Sequence, residues 1–576
     1  MPQLWTEFTA AARQGRSLHL PMPGGRAYPL ADLLERAERT AASVLERLGG
    51  RPPRRLGVLM NNGEPWVRGA LCAFRLDAAI VPLPLAVGFA GADAYSAHLA
   101  RIARTAALDA ILVDDSLGPA IARRVARDLT ELPFIDVTDP GDRPAPPSVP
   151  EPAGADDQGL AVIQYTSGST SAPKGVALTH ANVSAGLAAV TTGLGFTDQD
   201  AFGVWIPMFH DMGLFSVLSG LARGTDVCLW RPSDFVRRPL TWLAGFAASP
   251  ATVLPAPNFC FDLLVSAARQ DPPRSLDLSG WRIASNGAEP VRRRTLEAFQ
   301  ETFGPYGFRA AAMEPVYGMA EATLVVTTSD PAGVWHALTV DRDRLGTGDT
   351  VRVVGDADPG ARSVVACGRP AAGIRLRIAA PDTADTTGSA VAGAGVVGEV
   401  QITGPAVTSG YLDLPADQQP FTPDGWLRTG DLGFLDGELY LVGRLKAMIT
   451  VRGQNYYAED VEEIVRTTPG MDRPRTAAIA WTEDEGERMV VLCESALDPA
   501  EARLLARAAQ DQVRRQLGLD EVDIIPVAPA AIPHTTSGKV QRHAALSLYR
   551  TLRTAAGPAG SPGPGDGADP DPAKKR

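Results

Sequence analysis

Apolar runs of strand length that alternate with helix-spaced stretches constrain this chain more than any other feature. Between residues 28 and 50, Leu30, Leu33, Leu34, Ala37, Ala41, Val44, Leu45 and Leu48 recur at mostly three- and four-residue intervals, and Gly49-Gly50 ends the pattern. Residues 55–60 then predict a strand, 65–76 a helix and 79–81 a strand, with further strands at 110–113 and 134–137. Strands separated by helices build βαβ units, which lay their strands parallel. Residues 138–157, rich in Pro, Asp and Ala, predict an exposed connection. Alternation resumes from Leu160 to about residue 309, with a short strand at 281–284, which predicts a second lobe. From 368 to 440 the pattern changes to short runs with glycine turns, a small β-rich region. Strands at 477–480 and 489–493 and a helix over 499–517 predict a separate C-terminal domain. The expected fold is α/β: a large N-terminal domain of two α/β lobes plus a small β-rich region, with a small mobile α+β C-terminal domain. With 576 residues, more than one core is required.

Residues 160–163 predict a buried strand that runs into Tyr165-Thr166-Ser167-Gly168-Ser169-Thr170-Ser171-Ala172-Pro173-Lys174-Gly175-Val176. Small residues leave backbone N–H groups uncovered, and with several hydroxyls and one ammonium they suit a phosphate. No Gly-Lys-Ser/Thr stands where the common nucleotidase loop needs it. Taken alone, the run also describes a Ser/Gly surface loop. The formal net charge of −11, with no basic stripe to offset it, argues against a nucleic-acid role. Cys72, Cys228, Cys260, Cys367 and Cys493 are scattered and lack metal-ligand spacing, which predicts buried thiols in a reducing compartment. Residues 1–16 contain no apolar leader segment and no run of ~18 apolar residues occurs, so no membrane span is expected and the location is read as cytoplasmic.

Further segments carry candidate chemistry: Trp205-Ile206-Pro207-Met208-Phe209-His210-Asp211-Met212-Gly213-Leu214, Pro255-Ala256-Pro257-Asn258-Phe259, Asn286-Gly287-Ala288-Glu289-Pro290 and Tyr317-Gly318-Met319-Ala320-Glu321-Ala322-Thr323. They continue with Trp426-Leu427-Arg428-Thr429-Gly430-Asp431-Leu432-Gly433, Gly443-Arg444-Leu445-Lys446-Ala447-Met448-Ile449 and Ile532-Pro533-His534-Thr535-Thr536-Ser537-Gly538-Lys539-Val540-Gln541-Arg542. In this order the set resembles the adenylate-forming superfamily of acyl-CoA synthetases, luciferases and peptide-synthetase adenylation domains, and most closely its fatty acyl-AMP ligases. The resemblance implies that ATP and Mg²⁺ are used. It places Thr166, Ser167, Gly168, Ser169, Thr170 and Lys174 on the ATP phosphates. Gly287, Ala288, Glu289, Tyr317, Gly318 and Met319 would frame adenine, with Tyr317 stacked on it. Glu321 and Thr170 would hold Mg²⁺, which takes hard oxygen ligands and few of them from protein. Asp431 would accept from the ribose hydroxyls, as an acceptor-only side chain can. Arg444 would touch the nucleotide, and Lys446 would be the hinge.

Lys539 is the implied catalytic cation, bridging carboxylate and α-phosphate as charge builds on the transition state. His210 would sit at the mouth of the acyl pocket and position a substrate carboxylate already ionised at pH 7. Met208, Phe209, Met212 and Asn258 would line that pocket, although Met and Phe at such spacing also serve as plain core. Ala447 stands where aspartate is usual, and Ser171 where glycine is more frequent. The implied organisation is 1–442 for the N-terminal domain, 443–446 for the hinge, 447–553 for the C-terminal domain and 554–576 for a disordered tail. A long segment between Thr327 and Cys367 resembles the insertion of fatty acyl-AMP ligases, so the expected acyl acceptor is the phosphopantetheine thiol of an acyl carrier protein. Free coenzyme A is the alternative, and a non-catalytic adenylate-binding protein a remote one.

Overall fold

The computed structural model describes residues 3–556 apart from 22–24, 87–91, 118–124, 126, 139–157, 167–172, 381–390, 413, 453, 472–474, 484–485 and 535–539. The chain divides into two compact units, one of residues 1–448 and the other of 449–533 continued from Val540.

Two sheets organise the larger unit. The first has six described strands in the order Phe134–Asp136, Ala110–Val113, Arg55–Leu59, Ala79–Pro82, Leu160–Thr166 and Lys174–Thr179. The first five run parallel, and the last returns antiparallel. Such strands are apolar on both faces because helices cover both: Ile111 packs into one core, while Ala110 and Leu112 pack into another. Leu160–Thr166 therefore completes the first lobe, where the sequence placed it at the start of the second. Apolar periodicity marks a strand without naming its sheet.

The second sheet has nine described strands. Its parallel centre runs Met313–Gly318, Ile283–Gly287, Val253–Pro257, Phe202–Val204, Val227–Leu229 and Ser17–His19. Ser17–His19, unmarked in the sequence, pairs with Val227–Leu229 and is pinned by Asp226. That carboxylate accepts from the Ser17 amide at 2.9 Å and lies 3.0 Å from the His19 ring and 3.3 Å from Arg16.

A four-stranded antiparallel sheet (Arg375–Ala379, Gly398–Thr403, Leu427–Asp436, Glu438–Arg444) forms the β-rich region. Between Thr327 and Cys367 lies a two-stranded ribbon, Ala337–Asp341 against Ala361–Val365. It is fastened to the unit by Arg362, which donates to the Val442 carbonyl at 2.8 Å, and by an Arg293–Asp356 pair at 3.3 Å.

In the smaller unit, helices Ala458–Thr467, Pro499–Leu517 and Arg542–Ala556 enclose strands Thr476–Glu483, Gly486–Glu494 and Val522–Val527. Residues 489–493 are apolar without interruption because Met489, Val491 and Cys493 enter one core and Val490 and Leu492 another. Among the described residues, no helix is long and apolar enough to cross a membrane. All five cysteines are free and buried.

Candidate active site

Four of the candidate segments begin at the carboxyl ends of four neighbouring strands of the second sheet. Phe202–Val204 leads into Trp205–His210, Val253–Pro257 into Asn258, Ile283–Gly287 into Ala288-Glu289, and Met313–Gly318 into Met319–Glu321. Open α/β sheets bind ligands along this edge, because strand ends there present loops and backbone N–H groups to a common crevice. The strand predicted at 281–284 in fact spans Ile283–Gly287, so Asn286 and Gly287 lie in the sheet and the turn begins at Ala288, at φ +63.

Two side-chain amides hold the carboxyl ends of both sheets together. Asn62, 6% exposed, donates to the carbonyls of Ile206 (2.9 Å) and Trp230 (3.0 Å) and accepts from the Met208 amide (2.9 Å). Gln164, in the strand before the phosphate loop, donates to the Phe209 carbonyl at 2.8 Å. The sequence marked neither residue. His210 is half-buried at the start of helix Asp211–Arg223, its ring 4.7 Å from that of Phe209. A Cβ on Gly213 would sit 2.4 Å from the Pro207 carbonyl oxygen, so glycine is required where this helix passes its own entry loop.

The acyl-pocket candidates pack in different cores. Met208 packs in the main core, Met212 joins Trp205 and Phe235 in an aromatic core, and Phe209 is 6% exposed. Asn258 is buried and its amide is spent within the fold, with Thr295 at 3.1 Å, Asn286 at 3.3 Å and the Arg292 amide at 3.2 Å. The neighbouring Phe259 is 43% exposed and meets Trp205 edge to face at 6.1 Å. Glu289 accepts from the Phe259 amide, which ties the adenine candidates to this segment.

The ribose and adenine candidates meet directly. The Tyr317 hydroxyl donates to one Asp431 oxygen at 2.7 Å and Arg444 Nε donates to the other at 2.8 Å. Burial and the Asp431 charge push the Tyr317 phenol well above its ordinary range, so it stays a donor. A Cβ on Gly318 would lie 2.0 Å from the Leu324 carbonyl oxygen, so this turn admits only glycine. Glu321 is 7% exposed and accepts from the Tyr411 hydroxyl at 2.5 Å. Burial holds its carboxyl above the ordinary range, the Tyr411 hydrogen bond and the Arg444 charge partly offset this, and the Asp211 charge adds to it. A buried carboxylate with so little compensation fits a hard divalent cation. Lys174 Nζ lies 5.1 Å from the centroid of the Tyr411 ring.

Thr323 closes this motif at φ 64 and ψ −61, with the Leu324 amide donating to the Ala322 carbonyl at 2.7 Å, which makes a γ-turn. A β-branched residue holds that conformation only when fixed from outside. Its hydroxyl lies 3.0 Å from the Ala406 carbonyl and 3.2 Å from that of Asn182. Thr166 ends its strand beside the loop, and Ser167, Gly168, Ser169 and Thr170 lie outside the described residues, as does Lys539. Lys446 is exposed in a single 3-10 turn, Leu445–Ala447. Downstream of Lys539, Arg542 pairs with buried Glu462 at 2.9 Å and so anchors that flank within the smaller unit.

Residues 8–412 match the AMP-binding enzyme family, and the chain belongs to these adenylate-forming enzymes, in the branch of the fatty acyl-AMP ligases. It is 31% identical to the long-chain-fatty-acid–AMP ligase FadD26 of Mycobacterium marinum, over 87% of this chain and 88% of that one. It is 35% identical to the medium-chain-fatty-acid–[acyl-carrier-protein] ligase JamA of Moorena producens, over 67% of each. A putative fatty-acid–CoA ligase of Mycobacterium tuberculosis, FadD21, is 32% identical over 82% of this chain and 84% of its own. A solved structure from a study of fatty acyl-adenylate ligases of E. coli and L. pneumophila superposes with a TM-score of 0.84 at 29% identity, covering 96% of this chain and 99% of that one.

Proposed function

We propose that this chain joins a fatty acid to AMP at the expense of ATP, releasing pyrophosphate, and then passes the acyl group to the phosphopantetheine thiol of an acyl carrier protein. The observation that carries the first step is the meeting of Tyr317, Asp431 and Arg444, with Arg444 near enough to attract the buried Glu321. Asp431 receives one donor on each oxygen, and each oxygen keeps a lone pair for a ribose hydroxyl. Tyr317 offers its ring to adenine. Lys174 and residues 166–170 would bind the phosphates, and Glu321 with Thr170 would hold Mg²⁺, which would neutralise phosphate charge. The ionised acid, positioned by His210, attacks the α-phosphorus, the bond to pyrophosphate breaks, and Lys539 stabilises the charge on the equatorial oxygens. The reaction belongs in the cytoplasm, where ATP and reduced thiols are supplied.

For the second step, the name of JamA supports a carrier protein and that of FadD21 supports coenzyme A. The ribbon at 337–365 favours the carrier, by its likeness to the ligase insertion. The smaller unit turns about Lys446 between the steps and withdraws Lys539. Mass spectrometry decides: purified protein with ATP, Mg²⁺ and a panel of fatty acids is offered holo carrier protein and coenzyme A together. Acyl-carrier product with little acyl-CoA supports the proposal, and abundant acyl-CoA overturns its second step.

A further inference from the structure

One short segment, residues 405–412, is bonded to both halves of the phosphate-facing machinery. On one side it lies along strand Lys174–Thr179. The Ala177 amide donates to the Gly410 carbonyl at 3.1 Å, the Leu412 amide to Gly175 at 2.7 Å, and the Thr408 hydroxyl to Ala177 at 2.5 Å. On the other side it grips the Glu321 turn. The Thr408 amide donates to the Glu321 carbonyl at 2.8 Å, and the Ala406 carbonyl lies 3.0 Å from the Thr323 hydroxyl. Tyr411 is the one side chain of the segment that reaches both functional groups. Its hydroxyl donates to Glu321 Oε1 at 2.5 Å, and its ring lies under the Lys174 ammonium at 5.1 Å. Gln419 brackets its backbone, accepting from the Tyr411 amide and donating to its carbonyl, each at 2.8 Å.

We infer that Tyr411 is a positioning residue for the metal carboxylate: it fixes the Glu321 side chain through one oxygen and sets the separation of Glu321 from Lys174. The inference rests on the reading of Glu321 as the group that holds Mg²⁺. A carboxylate at the end of a flexible side chain loses rotamer freedom when it binds a cation, and a partner that has already fixed it removes that cost. The ring adds a second constraint, since the same residue that aims the anion also seats the cation. Sequence proximity cannot provide this coupling, because Lys174, Glu321 and Tyr411 come from three distant stretches of chain.

The test uses the full-length protein and Tyr411→Phe, which keeps the ring beneath Lys174 and removes only the hydroxyl. Two quantities are measured: the Mg²⁺ concentration giving half-maximal ATP–pyrophosphate exchange, and Mn²⁺ affinity in the presence of a non-hydrolysable ATP analogue, by electron paramagnetic resonance. The expected result is a requirement for either metal raised about tenfold or more, with the KM for the fatty acid and the melting temperature close to the parent's. An unchanged metal requirement overturns the inference, as does a loss of turnover with the metal requirement intact, which is the mark of a purely structural tyrosine. If Tyr411→Phe does not fold, Gln419→Ala loosens the same residue through its backbone and is expected to raise the metal requirement; an unchanged requirement there overturns the inference equally. Glu321→Gln, run in parallel, separates the two claims. If it leaves the metal requirement untouched, the reading of Glu321 falls; if it raises the requirement and Tyr411→Phe does not, only the role of Tyr411 falls.

Discussion

At the scale of single residues, Asp431 and Glu314 carry opposite consequences of burial. Asp431 is buried between two donors, so Asp431→Ala removes the proposed ribose acceptor and leaves Tyr317 and Arg444 without their shared partner. Loss of a hydrogen bond to a buried charged group costs about 1.5–3 kcal/mol, so the KM for ATP in the exchange assay should rise by at least about tenfold. Glu314 lies in the same strand as Tyr317, and burial pushes its carboxyl up to about 8, with Arg282 partly offsetting and Asp330 and Asp200 adding to the rise. In the unfolded chain this group ionises near pH 4.5. The folded state is therefore penalised progressively as pH rises from about 4.5 to about 8, and the penalty is constant above that range. Glu314→Gln should melt close to the parent at pH 4.5 and several degrees above it at pH 8, as read by thermal unfolding across that range. A gap that narrows as pH rises would contradict this assignment. Single residues were also the hardest to read in advance. Asn62 and Tyr411 look ordinary in the sequence because the groups they bind are 146 and 90 residues away.

At the scale of elements, legibility followed local signals. Helix Pro499–Leu517 matches the stretch expected from the sequence because its ends are written into it. Asp498 accepts from the amides of Ala500 and Glu501, proline stands at the first position, and Gly518 closes the helix at φ 61. Strand Ile283–Gly287 was read too early because Asn286 and Gly287 are poor strand formers. Neighbouring strands on both sides and the bond from Asn286 to Asn258 hold them extended. Helix His180–Gly193 gives a test in which two effects compete. Alanine at Gly186 would gain about 1 kcal/mol of helix propensity. However, its Cβ would lie 2.4 Å from Thr323 Cβ, inside the γ-turn next to Glu321. The buried turn cannot move aside cheaply, so the collision wins. Gly186→Ala should lower the melting temperature and reduce adenylate formation together, measured by thermal unfolding and pyrophosphate exchange. A variant more stable than the parent would show that the turn yields.

At the scale of the whole molecule, the α/β architecture was legible and the allocation of strands to sheets was not. The alternation of apolar runs sets parallel strands flanked by helices, but sheet membership depends on partners far along the chain. The candidate segments were legible in order, and the structure adds that four of them are neighbours at strand ends. The proposed two-step cycle predicts a separation of half-reactions. Lys539→Ala should abolish acyl-AMP formation yet transfer the acyl group from synthetic acyl-AMP to the thiol at near the parent rate. Equal loss of both would remove the rotation about Lys446 from the mechanism.

The strand Ser17–His19 sets a timetable for synthesis. Its partner Val227–Leu229 and the anchoring Asp226 emerge only after some 210 further residues are made, which at about 5–20 residues per second is roughly 10–40 s of translation. Throughout that interval the strand has only its hairpin partner Ala27–Pro29, and its edge toward the parallel centre of the sheet stays unpaired. A ribosome stalled before codon 226 therefore presents one open β-edge on that hairpin, long after the hairpin itself was made.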